Sequence, residues 1–134
     1  MIRGLGHIGI AVRDLETAPR LWVDVLGFEK THLETVEDQG VVVQTMTAGD
    51  LVVELMEPTG PDTPVGKFLE RSGPGLHHMA LDVGDLDGVL ERFRDAGLPL
   101  INEVPVDGKE GSRVAFVHPK GCTGVLVELA EPGS

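Results

Sequence analysis

Two histidines and two glutamates stand at matching places in this chain, and their types make a metal-ligand set. GLGHIGIAVRDLETAPRLWVDVLGF near the start returns as GLHHMALDVGDLDGVLERFRDAGLPL. Gly4, Leu5, His7, Val12, Asp14, Leu15 and Asp24 recur as Gly75, Leu76, His78, Val83, Asp85, Leu86 and Asp95, all at one constant offset. Each copy closes on a shared phrase, LVVELMEP or VLVELAEP, so that Glu54 recurs as Glu128. Two neutral imidazoles and two hard carboxylates form an N₂O₂ set suited to a divalent first-row ion, with positions left for water or substrate. Taken singly, a strand histidine is usually a hydrogen-bonded structural group and a strand glutamate is usually solvated. Repeat-equivalent placement of all four is what points to a shared site across a pseudo-two-fold axis.

The elements that must carry these side chains follow from periodicity. In HIGIAV, Ile8, Ile10 and Val12 alternate with His7, Gly9 and Ala11, the period of a strand with one packed face. Glu54 lies between Val53 and Leu55, and Glu128 between Val127 and Leu129, so both glutamates face away from the core. Asp14 is a natural N-cap, followed by a helical stripe of Leu15, Ala18, Leu21, Trp22, Val25 and Leu26 and a stop at Gly27. Pro19 interrupts that helix, which must begin late or bend there. The second copy repeats the plan with Asp85 as cap, Val89, Leu90, Phe93 and Ala96 as stripe and Gly97 as stop. Each helix is expected to pack on the back of its own strand, leaving the histidine face free.

Short β-rich runs follow each helix: FEKTHLETV, GVVVQTMTA and DLVVELMEP, then LINEVPV, SRVAFVHP and GVLVELAEP. Each half therefore reads βαβββ, and the Pro/Gly-bounded segment between them holds a short helical candidate, PVGKFLERS. One half cannot bury its concave face alone. The expected architecture is α+β: two tandem βαβββ modules, about 4–58 and 75–132, paired into a curved, barrel-like mixed sheet with helices outside. Residues 1–134 then form a single domain.

Composition excludes several classes of function. A formal net charge of -11 lacks the basic face that nucleic acid requires. No apolar stretch is long enough to cross a bilayer, and no signal-peptide pattern opens the chain, so a soluble, cytoplasmic protein is expected. Cys122 is the only cysteine, which removes internal disulfides and any Cys-based zinc site.

The phrases together resemble the vicinal oxygen chelate superfamily, which pairs βαβββ modules around a metal. Within it, HIGIAVRDLE, LVVELMEP, DTPVGKFLERSGPGLHHMALDV and AFVHPKGCTGVLVEL are similar to the methylmalonyl-CoA epimerase family along essentially the whole chain. The His and Glu pattern is specific only to the superfamily, whereas PVGKFLE, GLHHMA and HPKGCTGVLVEL are more specific. The resemblance implies that His7, His78 and Glu128 bind the metal, with the fourth ligand at Glu54, where some epimerases carry glutamine. It implies cobalt, although the donors also accept manganese, nickel or zinc, and it implies a homodimer with an acyl-CoA substrate. A second base, a glutamate in some epimerases, falls on Val43, which cannot take a proton.

The reaction so implied removes the proton at C2 of methylmalonyl-CoA, passes through an enolate-like intermediate and returns a proton to the other face. A divalent ion on the thioester and carboxylate oxygens acts as Lewis acid, and a carboxylate within reach of C2 acts as base. Glu128 is the expected base, with Glu54 across the pseudo-axis. His118 and Lys120, in the turn before the last strand, are candidate substrate contacts. Lys67, Arg71, Lys109 and Arg113 are further cations that could collect near a CoA tail. His77 is expected to face away from His78, and Asp82 to share the face of His78. Two alternatives stay open: a glyoxalase I-type lactoylglutathione lyase and a metal-free binding protein of the bleomycin-resistance type.

Overall fold

The computed structural model describes residues 1–133, the side chain of Lys109 excepted. Its elements run β1 (Ile2–Ala11), α1 (Ala18–Arg20) leading into a π-helix (Leu21–Val25), β2 (Glu29–Val36), β3 (Val41–Ala48), β4 (Leu51–Pro58) and α2 (Pro64–Ser72). They continue as β5 (Gly75–Val83), α3 (Leu86–Asp95), β6 (Val106–Asp107), β7 (Arg113–Val117) and β8 (Leu126–Glu131). The predicted βαβββ order therefore appears twice in a mixed α+β protein, and PVGKFLERS between the copies is helix α2.

The chain forms two compact units whose membership differs from the sequence repeat: one is His7–His77, and the other joins Met1–Gly6 to the chain from His78 onward. The first has strand order β2-β3-β4-β1, the second β1-β5-β8-β7-β6, because β1 contributes its opening residues to one and its closing residues to the other. In the second unit the Gly84 amide donates to the Met1 carbonyl at 3.0 Å.

In the His7–His77 unit, Val12, Phe28, Met46, Val53 and Leu55 pack beneath the first helix with Ile10, Leu15, Ala18 and Trp22. The Trp22 and Phe28 rings meet edge to face at 5.3 Å. A separate cluster of Ala11, Val41, Val43, Met56, Val65 and Leu69 lies under α2. In the other unit Val83, Leu86, Val89, Leu90, Ala115, Val117, Val127 and Leu129 pack under α3.

Three expectations are corrected. The first helix has only three α-helical residues before it widens, with Leu26 donating to the carbonyl of Leu21 five residues back. Each π turn takes in an extra residue, so the predicted stripe rotates off the core. Trp22 stays against it, while Leu21, Val25 and Leu26 are 54%, 72% and 54% exposed. Asp14 does not cap the helix itself. Its Oδ1 accepts from the amides of Glu16 and Thr17 and from the Thr17 hydroxyl, closing the turn that precedes it. Finally, LINEVPV is not a strand beyond one bridge, Leu100 to Val117, and its last residue, Val106, which opens β6. The Asn102 side chain intercepts the Phe116 amide at 2.8 Å, and Pro105 has no N–H for a ladder.

Candidate metal centre

In the His7–His77 unit, β1 and β4 run parallel with Gly9 opposite Glu54 and Ala11 opposite Met56. Val53 and Leu55 point into the core under α1, so alternation sends Glu54 to the other face. His7 shares that face, and its Nε2 lies 3.5 Å from Glu54 Oε1, with about a fifth of each side chain exposed (18% and 20%). Thr45 of β3 stands opposite Glu54 on the far side. The histidine face is not left free as expected. Helix α2 covers its far end with Val65 and Leu69 over Ala11, Val43 and Met56. Val43, the place of a glutamate in some epimerases, is thus part of an apolar cluster.

In the other unit, β5 and β8 repeat this register: Ala80 faces Glu128 as Gly9 faces Glu54. Each histidine stands two residues before the partner of its glutamate. His78 is only 7% exposed. Val127 and Leu129 belong to the core under α3, so Glu128 emerges on the opposite face, with Phe116 of β7 beside it. Asp82 shares the face of His78, as expected, and lies over Gly6, where a Cβ would come within 3.0 Å of Asp82 Oδ1.

The weaker candidates have local partners. His118 caps the short 3₁₀ turn Pro119–Gly121, its Nδ1 accepting from the Lys120 amide at 3.1 Å, while the Lys120 side chain is exposed. His77 meets the Phe68 ring edge to face at 5.0 Å, with the Arg71 guanidinium 5.9 Å from the same ring. Burial, helped by the Arg71 charge, lowers the His77 pKa below the ordinary histidine value. Arg113 is held by Asp87 at 3.0 Å and Glu131 at 3.2 Å, and Lys67 is exposed on α2. The side chain of Lys109 lies outside the described residues.

Sequence reasoning passed over the second glutamate of each closing phrase. Glu57 Oε1 accepts the Leu15 amide at 2.8 Å, and Glu131 Oε2 accepts the Leu86 amide at 2.9 Å. Leu15 and Leu86 are repeat-equivalent, as are the two glutamates. The signal was present in ELMEP and ELAEP, where Glu recurs three residues after the ligand candidate.

Residues 6–116 match the profile of the glyoxalase/bleomycin resistance protein/dioxygenase superfamily. The chain is 44% identical over 96% of its length to the uncharacterized protein YqjC of Bacillus subtilis, covering 91% of it. It is 36% identical to the ethylmalonyl-CoA/methylmalonyl-CoA epimerase of Cereibacter sphaeroides, covering 98% of this chain and 99% of that one. A crystallised variant of Streptomyces coelicolor methylmalonyl-CoA epimerase, in complex with 2-nitronate-propionyl-CoA, superposes with a TM-score of 0.86 at 36% identity over 100% of both chains. With both βαβββ copies in place and relatives matching from end to end, the chain belongs to the glyoxalase/bleomycin resistance protein/dioxygenase superfamily, among the homologues of methylmalonyl-CoA epimerase.

Proposed function

We propose that this protein is a methylmalonyl-CoA epimerase, interconverting the 2R and 2S epimers, with His7, Glu54, His78 and Glu128 holding a divalent ion, cobalt by preference. The observation that carries the reading is the end-to-end match to a protein named for this activity. Support from the residues comes from the donor set, since His7, Glu54 and His78 offer imidazole and carboxylate atoms of the kind that hold a metal ion. The 3.5 Å approach of His7 to Glu54 suits two groups that share a cation. A homodimer and a cytoplasmic setting complete the reading.

When bound, such an ion supplies a Lewis acid that lowers the cost of negative charge on a carbonyl oxygen. The chain's own work is proton transfer. Glu128 sits on a strand fixed by the buried side chains of Val127 and Leu129, which sets the face on which its carboxylate emerges for removal of the C2 proton. Glu54, at the equivalent position of the other copy, delivers a proton to the opposite face. Inversion needs a proton donor on each side of C2.

The test is proton exchange at C2 of methylmalonyl-CoA in deuterated water, alongside metal analysis of protein purified without chelator. Glu128→Gln is expected to abolish exchange of the epimer whose C2 proton Glu128 removes, and His7→Ala to lose the metal. Exchange at the wild-type rate in Glu128→Gln would remove Glu128 as base. Metal with no exchange, but with turnover of a glutathione hemithioacetal, would replace the epimerase with the lyase.

A further inference from the structure

We infer that Glu57 and Glu131 are positioning residues that set the spacing of each His–Glu pair by locking the register of the two parallel strands that carry it. The inference rests on the metal-site reading above.

The physical problem is slip. A strand rises about 3.3 Å per residue and repeats its face every two residues, so a two-residue slip of β4 along β1 keeps Val53 and Leu55 inward and Glu54 outward. It moves Glu54 by about 6–7 Å relative to His7. Facial alternation cannot detect that error. Nor does the connection prevent it, because β4 reaches β1 only after the first helix, β2 and β3.

The Glu57 carboxylate detects it. Beyond the last rung, where the Val12 amide donates to the Met56 carbonyl at 2.9 Å, Glu57 reaches across to the Leu15 amide in the turn that leaves β1. A two-residue slip would bring Leu55 or Thr59 to that place, and neither has a carboxylate. In the second copy a slip would substitute Leu129 or Gly133 for Glu131. The amide served there, Leu86, is the first of α3, which has no partner within its own helix and favours a carboxylate. The same contact thus occurs twice, at 2.8 and 2.9 Å, each three residues beyond a ligand candidate.

The copies differ in one respect that selects the residue to test. Glu131 stands opposite Arg113 and bonds it, so its removal would also release an arginine. Glu57 stands opposite Val42, so its removal breaks the lock alone.

The experiment is titration with Co²⁺ alone, read by calorimetry and by the visible spectrum of the bound ion, on wild type, Glu57→Gln, Glu57→Asp and Glu57→Ala. Glutamine keeps an oxygen acceptor at the right length and is expected to bind as wild type does. Aspartate keeps the charge but is one methylene short, and with alanine it is expected to weaken Co²⁺ by about tenfold or more and to shift the spectrum. Should alanine fail to fold, the aspartate variant carries the test. Wild-type affinity and spectrum in Glu57→Asp would overturn the inference while leaving the metal site intact. Absence of Co²⁺ binding in the wild type itself would overturn the metal reading and this inference together.

Discussion

His77 and His78 are adjacent in β5, yet their environments differ completely. His78 takes the face shared with Ala80 and Asp82, where Ala80 stands opposite Glu128, whereas His77 is set against an aromatic ring and a nearby arginine. Alternation along the strand separates them, and it is this parity, together with the repeat, that singles out His78, His7, Glu54 and Glu128 as candidates. Parity says nothing of groups whose partner is a backbone amide. Glu57 and Glu131 went unread for that reason, since no side chain in the sequence marks what they bind. Cys122 gives a prediction at this scale. It packs against the cluster under α3, and burial raises its thiol pKa above the ordinary value. Because the thiolate is the nucleophile, iodoacetamide at about pH 8 is expected to alkylate it more slowly than in the denatured chain. The folded rate should climb at a higher pH than the denatured rate. Equal rates in the two states would show an unburied thiol.

The three helices differ in how well their sequences specify them. Helix α2 has Thr63 as N-cap, accepting from the Gly66 amide at 3.0 Å, and a proline at its first position. Helix α3 has Asp85 accepting from Gly88. Helix α3 was readable from cap and stripe together, and α2 from its Pro- and Gly-bounded segment. The first helix was not, because Pro19 and the π turn change the angular step that a stripe assumes, and LINEVPV failed where Asn102 took over a ladder bond. These differences have measurable outcomes. Thr63→Ala is expected to cost about 1 kcal/mol in urea denaturation. Leu55→Ala, in the core under the first helix, is expected to cost about 2–5 kcal/mol, while Leu26→Ala stays within about 0.5 kcal/mol. A large loss at Leu26 would mean that the helical stripe, rather than the π turn, describes this segment.

At the scale of the whole molecule, charge is the property with the longest reach. The net charge of -11 opposes an anionic thioester, and Arg94 and Arg113, among the described cations, are already engaged by Glu91, Asp87 and Glu131. Screening shortens from about 30 Å at 0.01 M salt to about 8 Å at 0.15 M. On the proposed function, kcat/KM for methylmalonyl-CoA is therefore expected to rise over that range. A fall would reveal cations gathered at the CoA phosphates that outweigh the net charge. The repeat in the sequence and the compact units of the structure do not share boundaries, since Met1–Gly6 belong with the chain from His78 onward. That arrangement bears on how the protein is made. The opening residues of β1 leave the ribosome well before β5, so they wait unpaired while the His7–His77 segment emerges and begins to fold. Synthesis therefore passes through a stage with an exposed strand end, and a nascent chain stalled between the two copies would present that end to other chains or to chaperones.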